Sequence, residues 1–600
     1  MKKQKMFSLL LMFLFTFSIA LGQTTAKETG VEEVFSIYLL SPNTSAARNQ
    51  WSLLMEQLLP QIGIGISFHE STGWGNIAPR TWSYPFIDYD YIPSYEHGGY
   101  DLLFVGWSWP LDLNLQALYE TSAITPNGDN HYQYSNPTYD ALLDDYMSEL
   151  DPEIRISLAY QLQAILYEDQ PAIPIVYPRS LFGFEDGLTG IDTLLIASGG
   201  HRIENWDDPS DHIIKYAVPA DLKEWNTYVQ ESFYDGQWMQ CVYGSVVQRA
   251  VDSHVWEPQS ALDFSVSDVI NDKINVTVNL DPDMKFSDGS TVLPEDVKYS
   301  YQLHMTPAVG SSQYGILTHW FASNDSIEIT DPSAGGQIVF KFDAVFNLWD
   351  SILYNAIIDK SEVEPLISTY GYSIFNEIPG TGNVGWSLVK SCGPMMVDSF
   401  DSVNSIVKLI PNPYWSDSAA SGGADPLLDE FYLTFISGKD TAVAELISGN
   451  IDITDAQYFP SITDFTSPGV EGVLVKDPSH QEMSINMLHP YLGTGELTPL
   501  GTPEAAKNIR KAISHACPRD IIVDQILEGL GAPATTAIPD CVVGYDDSLE
   551  PYVYDLDLAR EYMELAGFDI MTDETGIPGI VLLAFLGLAT VEFVRRKFRN

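Results

Sequence analysis

Residues that could carry out chemistry are numerous in this sequence, but few stand in a recognisable catalytic pattern. The chain contains 81 Asp and Glu, 11 His and 4 Cys. It has no H-E-x-x-H, G-x-S-x-G, C-x-x-C or P-loop motif, and its histidines are scattered rather than spaced as metal ligands. Gly380–Gly385 satisfies G-x-G-x-x-G, but no clear strand leads into it, so a loop is favoured over a dinucleotide site. These patterns support neither an enzyme nor a metal or cofactor site, and we predict none of the three.

The cysteines and the glycosylation tripeptides are the remaining candidates for covalent chemistry. Of the possible disulfides, Cys517 with Cys541 is the most local. The remaining pair would then be Cys241 with Cys392. Four unpaired buried thiols are the alternative. The possible glycosylation acceptors, which would lie on an exposed exterior, are Asn43, Asn275 and Asn324.

The charge and composition of the chain exclude several classes of protein. Its 30 basic residues against 81 acidic ones give a formal net charge of −51, which repels nucleic acid and anionic lipid. Hydrophobic residues make up 45% of the chain, enough to exclude a disordered acidic polymer. At roughly 150 residues per domain, the length allows about four domains or fewer large lobes.

Both ends of the chain carry targeting patterns. Lysines precede the apolar run Phe7–Leu21, and Ala20 and Gly22 supply the small residues of a cleavage site, so residues 1–22 are predicted to be a secretory signal peptide. An N-terminal membrane anchor is the alternative. Residues 577–594 form an apolar run followed by the basic tail 595–600, which predicts a C-terminal membrane anchor with the body outside the cell. The same pattern also resembles archaeal C-terminal sorting signals, in which the tail is exchanged for a lipid; a buried core helix is the remaining alternative.

The spacing of apolar residues predicts alternating helices and strands, as in α/β proteins. Trp51–Leu59 has its apolar residues on one helix face, and Ile62–Phe68 alternates like a strand. Asp151 and Pro152 cap and begin another helix. The prolines in Pro171–Tyr177 place that strand at a sheet edge or a strand start. Further predicted elements are the strand Ile274–Leu280, a helix beginning at Pro294, and helices over Thr441–Ser448 and Thr502–His515.

Six segments together resemble motifs of the extracellular solute-binding proteins of peptide-type ABC importers. One, Phe286–Val297, is similar to the family signature F-S-D-G-T-P-V-T-A-E-D-V, with Leu293-Pro294 in place of Thr-Ala. Another, Cys392–Met395, looks like the family's T-G-P-Y turn, with its Tyr replaced. The remaining four segments are Asn412–Trp415, Glu445–Ile453, Ile509–Ile513 and Glu564–Phe568. The resemblance implies a two-lobed α/β fold of the periplasmic-binding-protein type II, peptide-binding class.

The order of the motifs departs from the family. Elements that follow the E-A-G-Y helix in the family occur here within residues 34–203, before the signature. We interpret this as a circular permutation, because each element occurs once and domains with neighbouring termini tolerate such rearrangement. Residues 34–203 and 451–570 would form one lobe, and residues 204–450 the other.

The resemblance also identifies the candidate ligand wall. In peptide-binding relatives, a strand bearing G-W lines the cleft and an Asp three residues after the Trp binds the peptide amine. Pro110 occupies that place here, and Asp112 is a candidate replacement, since a buried ammonium needs a carboxylate partner. We expect Trp107 and Trp109 to project to opposite faces of the strand, so that only one of them contacts a peptide or a sugar. The alternative is that they pack in the core. The ligand-binding candidates are Gly106, Trp107, Ser108, Trp109 and Asp112.

These observations predict a monomeric extracytoplasmic solute-binding protein, which encloses a peptide or related solute between two lobes by hinge closure. It would deliver the solute to an ABC permease driven by a separate ATPase, and it would reach the membrane through its C-terminal segment. An oligosaccharide-binding member of the same fold is the first alternative. A cell-surface hydrolase is the second, although with 81 carboxylates the sequence cannot support a particular glycosidase pair.

Overall fold

The computed structural model describes residues 31–570, apart from residues 199–200, 231, 379 and 381. Its helices are α1 (Ala46–Leu58), α2 (Trp74–Ile77), α3 (Gln116–Tyr119), α4 (Pro137–Ser148), α5 (Pro152–Asp169), α6 (Thr193–Ser198), α7 (Phe233–Val242), α8 (Pro294–His304), α9 (Tyr314–Trp320), α10 (Lys360–Tyr370), α11 (Lys439–Ile447), α12 (Pro503–Ala516), α13 (Arg519–Ile521) and α14 (Leu556–Leu565).

Strands alternate with these helices. They are β1 (Phe35–Pro42), β2 (Ile64–Thr72), β3 (Leu102–Ser108), β4 (Ala172–Glu185), β5 (Ile213–Val218), β6 (Val247–Arg249), β7 (Trp256–Pro258), β8 (Ala261–Val266), β9 (Ile274–Leu280), β10 (Ile327–Asp331), β11 (Gln337–Phe342), β12 (Met395–Asp401), β13 (Ile406–Pro411), β14 (Glu430–Phe435), β15 (Ile453–Thr454), β16 (Val470–Lys476), β17 (Ser479–Ile485) and β18 (Gly531–Pro533). The predicted α/β class is confirmed.

The chain forms two compact units. The first consists of residues 485–518 and the described parts of 1–104 and 552–600, and the second of residues 105–484 and 519–551. This division differs from the lobes predicted from the sequence, which group residues 34–203 with 451–570. The predicted lobes remain a prediction.

A β1–α1–β2 crossover forms the sheet of the first unit. β1 pairs in parallel with β2 from Phe35↔Ile64 onward and with β3 through Leu39 and Leu40. The predicted helix is confirmed as α1: its N-cap Ser45 accepts a hydrogen bond from a backbone N–H, and its apolar face is buried.

The two ends of the described chain meet in the first unit. The rings of Phe35 and Phe568 lie 5.5 Å apart between centroids, at a tilt of 37°. Arg560 of α14 donates to the carbonyl of Gln61, which follows α1, at 3.0 Å. The sequence-based expectation that the last helix packs beside the first strand and first helix therefore agrees with the structure.

A mixed sheet forms the centre of the second unit. Its strand order is β12-β13-β14-β5-β15-β4-β17, and β16 and β18 also pair with β4. The core on this sheet includes the buried side chains of Trp206, Tyr216 and Trp238. A four-stranded antiparallel sheet, β10-β11-β9-β8, has its own core around Tyr301 and Phe340.

β4 is the longest of the described strands, and its placement decides between the two predicted positions. It is not an edge strand, because β15, β16, β17 and β18 all pair with it, whereas the alternative of prolines at a strand start agrees with the structure, since β4 begins at Ala172. The sheet accommodates Pro174, which lacks an N–H, through a register shift between Gln481 and Glu482 of β17. β4 thereby joins residues 172–185 to four strands between residues 453 and 533.

The predicted targeting segments lie outside the described residues. These segments are the predicted signal peptide, residues 1–22, and the predicted C-terminal anchor, residues 577–594. Within residues 31–570, as described, none of the helices has the length and apolar character needed to cross a membrane.

Candidate functional site

The backbone of the predicted ligand strand is already paired at its end. An ideal Cβ on Gly106 would lie 2.3 Å from the side-chain end of Gln481, so this glycine lets that side chain cross close to the strand. Trp109 donates its backbone N–H to the carbonyl of Pro478 at 2.7 Å. Because the N–H of Trp109 is already used and Pro110 has none, neither residue can donate a backbone hydrogen bond to a ligand.

Both tryptophans of this segment reach one polar cluster. The indole N–H of Trp107 donates to Glu482 Oε1 at 3.2 Å, and that of Trp109 donates to His480 Nδ1 at 3.0 Å. The expectation that the two indoles project to opposite faces is wrong, because residues two apart in a strand share a face. Ser108, between them, is exposed, whereas Trp109 is only 7% exposed.

Glu482 is a fully buried carboxylate at the centre of this cluster. Besides Trp107, its partners are the hydroxyls of Tyr132 at 2.5 Å and Ser484 at 2.8 Å, and His480 Nε2 at 2.9 Å. Burial acts to raise the pKa of Glu482, but the hydrogen bonds of its partners outweigh burial and hold that pKa below its ordinary value.

The hydrogen bonds also assign the protonation of His480. An indole N–H can only donate, so Nδ1 of His480 must accept from Trp109. Nε2 then carries the proton and donates to Glu482, and the imidazole is neutral. The cluster therefore carries one negative charge, on Glu482, and its hydrogen bonds hold Trp107 and Trp109 in place.

Asp112, the candidate for a cationic ligand end, has a partner within the protein. Arg249 donates to both of its carboxylate oxygens, at 2.9 and 2.5 Å. The indole N–H of Trp256 adds a third hydrogen bond at 3.2 Å. An ammonium group of a ligand would have to displace this arginine.

A cavity of about 970 Å³ opens in the second unit. Its volume lies at the upper end of the range of small-molecule sites, roughly 300–1,000 Å³. The backbone of Asp112 forms a parallel bridge with Val543, which is part of the cavity wall. The lining residues are 190–194, 251–254 and 540–545, with Tyr160, Leu474, Lys476 and Asp547.

Carboxylates dominate the charge of this cavity. Asp192 pairs with His254 Nε2 at 2.9 Å; burial acts to raise the pKa of Asp192, but the hydrogen bond from His254 lowers it overall. Asp540 is held by Arg179 through two hydrogen bonds, at 3.1 and 2.6 Å. Two more carboxylates, Asp252 and Asp547, are exposed.

Two carboxylate clusters have the spacing of a possible metal site. In one, Glu185, Asp208 and Asp452 place oxygens within 4.8 Å of one another. Burial, followed by the neighbouring Glu185, raises the pKa of Asp452 to about 7, so a shared proton relieves the repulsion there. No further observation points to a metal at this cluster.

The other cluster already contains a cation from the protein. Asp288, Asp359 and Glu362 surround the ammonium of Lys390, with N–O distances of 2.5, 2.8 and 2.8 Å. Asp288 belongs to the F-S-D-G segment, so this signature residue serves an ion-pair network.

The four cysteines are free thiols in the structure, which corrects the predicted disulfides. Cys241 lies in the core of the mixed sheet and Cys392 in that of the four-stranded sheet, so their thiols point into separate apolar regions. Cys517 is buried and Cys541 is partly exposed. The alternative of unpaired thiols agrees with this finding, although Cys541 is not buried. The predicted glycosylation acceptors, Asn43, Asn275 and Asn324, are all exposed.

Sequence reasoning missed the residues that partner the candidates. Arg249 and Trp256 come from one hairpin, and His480 and Glu482 from one strand, all far from β3 in sequence. One feature of the sequence could have indicated these partners. With only 30 Lys and Arg against 81 Asp and Glu, basic side chains are scarce, so an arginine inside the protein is expected to pair with a buried carboxylate such as Asp112.

Comparison with known families gives one match that spans more than half of the chain. The model described as bacterial extracellular solute-binding proteins, family 5 (middle), matches residues 256–584. This range contains the F-S-D-G segment and the motifs that follow it.

Individual relatives match over shorter shares of their length. The oligopeptide-binding protein OppA of Bacillus subtilis is 22% identical over 325 residues, 51% of this chain and 54% of OppA. Heme-binding protein A of Haemophilus influenzae is 21% identical over 346 residues, 55% of this chain and 57% of that protein. The chain thus matches about half the length of these relatives.

Solved structures give similar results. The oligopeptide-binding protein AppA of Bacillus subtilis, in complex with a nonapeptide, matches 61% of this chain and 66% of its own at 16% identity, with a TM-score of 0.37. The periplasmic murein tripeptide binding protein MppA, in its unliganded open form, matches 60% and 66% at 17% identity, with a TM-score of 0.43.

Proposed function

Because the chain belongs to the bacterial extracellular solute-binding proteins, family 5, we propose that it captures a peptide or related solute outside the cytoplasm for an ABC importer. The solute would pass to a membrane permease driven by a separate ATPase. The family is one of binding proteins, which agrees with the prediction that the chain is not an enzyme.

The observation that carries this proposal is the cavity of about 970 Å³. Its hairpin tip, residues 251–254, belongs to one predicted lobe, and the remaining lining segments belong to the other. A cavity shared in this way could enclose a solute by closure of the lobes. Its size suits a short peptide better than a single small ion.

The contacts of the tryptophans favour a peptide over an oligosaccharide. A sugar platform needs an accessible aromatic face, but Trp109 is buried and bonded to His480. Trp107 is half-buried and Ser108 exposed, so these two, with the Gly106 backbone, stay candidates for ligand contact, but none of the three is among the residues that line the cavity. In this proposal Trp109 and Asp112 do not bind the solute directly; Asp112 supports the cavity wall through its backbone bridge to Val543.

We also propose that the chain is a circular permutation of the family fold. The chain matches only about half the length of its relatives. A permuted chain would give this result, because a sequence alignment that keeps the residue order can follow only one of the two exchanged segments at a time. The pairing of β4 with four strands between residues 453 and 533 is further support. A C-terminal segment that anchors or tethers the body to the membrane completes the proposal.

The test is the thermal stability of the whole protein with defined pools of peptides and oligosaccharides. A solute that binds only the folded state adds about 2.7 kcal/mol at 100 times its Kd. We expect a peptide pool to raise the Tm. Stabilisation by the oligosaccharide pool alone would favour the sugar-binding alternative, and release of cleaved products would favour the hydrolase.

A matched pair of variants tests whether the cavity is the site. Ser253 is an exposed residue at a hairpin tip that lines the cavity, and Ser402 is an exposed residue at another hairpin turn. Ser253→Trp should remove most of the Tm increase, whereas Ser402→Trp should preserve it. If both variants keep the full increase, the solute binds elsewhere.

The compartment is testable on intact cells. Protease added outside should degrade the body of the protein, beginning in its exposed loops. Full protection of the region around the exposed Asn275 would contradict an extracytoplasmic location.

A further inference from the structure

Two arginine–aspartate ion pairs lie near the cavity, and both join the same two parts of the chain. One group contains residues 112–155, with Asp112 and Arg155; the other contains residues 249–350, with Arg249 and Asp350. Arg249 pairs with Asp112, and Arg155 pairs with Asp350. Each group therefore contributes one arginine and one aspartate.

The first pair has close, multiple contacts. Both side chains are 12% exposed, and the guanidinium of Arg249 donates to both oxygens of Asp112. Trp256, which pairs with Arg249 in the β6–β7 hairpin, places its ring 3.7 Å beneath the guanidinium carbon. The indole N–H of Trp256 also donates to Asp112, so arginine and tryptophan hold one carboxylate together.

The second pair is looser and is supported by backbone contacts. The nearest nitrogen of Arg155 lies 3.9 Å from Asp350, and both side chains are again 12% exposed. Arg155 donates to the carbonyl of Asn347. The side-chain amide of Asn347 returns a hydrogen bond to the carbonyl of Tyr146 at 3.0 Å.

The first pair spans the edge of the cavity. On one side, the backbone next to Asp112 accepts from Val543, a wall residue, through the carbonyl of Leu111 at 2.8 Å. On the other side, Arg249 donates to the carbonyl of His254, at the hairpin tip that lines the cavity, at 2.8 Å. Arg249 thus contacts one wall directly and reaches the other through Asp112.

Such pairs suit a contact that must open and close. The attraction of two charges in a partly buried site is largely offset by the loss of their hydration. When the walls separate, water restores that hydration, so the free energy of opening stays small. An apolar contact of similar area would have no such compensation.

We propose that these two pairs form a latch that holds the walls of the cavity together, with Arg249 and Asp112 as its principal positioning residues. The latch sets the apparent affinity for solute through the fraction of molecules that are closed. The proposal rests on the proposed function for the identity of the enclosed solute. It assigns Asp112 to Arg249 and not to a cationic end of the ligand.

The test measures wall separation without any ligand. Spin labels at Ser253→Cys and Asp547→Cys, both exposed cavity residues, report the distance between the walls in a Cys541→Ser background. The native latch should give one short, narrow distance distribution. Arg249→Gln should shift it to longer and broader distances.

Two further variants keep the test independent of stability. Asp112→Asn with Arg249→Gln removes both charges and leaves no unpaired one, and should still broaden the distribution. The reversed pair, Asp112→Arg with Arg249→Asp, should restore part of the short distance. The control Lys341→Gln breaks the exposed Lys341–Glu328 pair and should change nothing.

Unchanged distances in the folded Arg249→Gln variant and in the double-neutral variant would overturn the latch. In the peptide-pool assay, the neutral variants should need about 10-fold more peptide for the same Tm increase, because fewer molecules are closed. Distances that respond while no pool binds would leave the latch supported and contradict the proposed function.

Discussion

The charge state of a buried carboxylate in this protein depends on which side chains surround it. Glu482 is buried and ionised because four side chains donate to it, whereas Asp452 is buried beside another carboxylate and has a raised pKa. The same chemical group therefore stabilises the fold at one position and opposes it at the other. Both effects can be measured.

Glu482→Gln should lower the free energy of unfolding by roughly 2–4 kcal/mol, because its NH₂ group meets a donor and buried hydrogen bonds are lost. The control Glu471→Gln changes an exposed residue of β16 and should have little effect. Since the folded pKa of Glu482 is lowered, its contribution is present at neutral pH and is lost as pH falls. Urea unfolding should show the two variants diverging at neutral pH and converging in acid; equal effects at neutral pH would contradict this account.

Asp452→Asn should stabilise the protein above neutral pH. The folded pKa of Asp452 is raised to about 7, so the folded state holds a proton that the unfolded state releases from about pH 4 upward. Stability of the native protein therefore falls as pH rises through this window. The amide is neutral throughout, and the gain at high pH should be on the order of 1–3 kcal/mol. Thermal melts across pH check it, and a gain that is largest in acid would refute it.

At the scale of elements, β4 organises the second unit. Its N-terminal half pairs with β17 and β18, and its C-terminal half with β15 and β16. The turn that follows β4 contains two glycines with positive φ, Gly187 at 104° and Gly190 at 73°. Only the second is crowded: an ideal Cβ there would lie 1.7 Å from the carbonyl oxygen of Asn205.

These two glycines offer a matched comparison. Gly187→Ala should cost about 1 kcal/mol, the strain of a side chain at positive φ in open space. Gly190→Ala adds a collision with backbone and should cost at least about 3 kcal/mol. Because Gly190 also lines the cavity, its variant should lose solute-dependent stabilisation as well. Chemical denaturation measures both, and similar costs would show that Asn205 moves aside.

At the scale of the whole molecule, the ends of the described chain lie together. Phe35 and Phe568 are in ring contact, so a short linker could join them. A chain whose ends are close can be reopened elsewhere without changing its core. This is the condition that a circular permutation of the family fold requires.

A reordered chain tests the permutation directly. Residues 204–570 followed by a short Gly/Ser linker and residues 34–203 should fold with a native circular dichroism spectrum and a Tm within a few degrees of the original order. It should also respond to the same solute pool. As a control, the same linker and opening can be placed within β4, where they should abolish folding. Aggregation of the reordered chain alone would count against the permutation.

The sequence alone determined the class of the fold, the family and most of the local elements. Caps such as Ser45 and Asp151, and the alternation in Ile274–Leu280, act within a few residues, so their structures follow from local physics. Only the tertiary structure decided which partners the candidate residues have. Asp112 meets an arginine 137 residues away, and the thiols of Cys241 and Cys392 enter different cores. Such contacts depend on how distant strands are ordered in a sheet, and no spacing within one segment encodes that order.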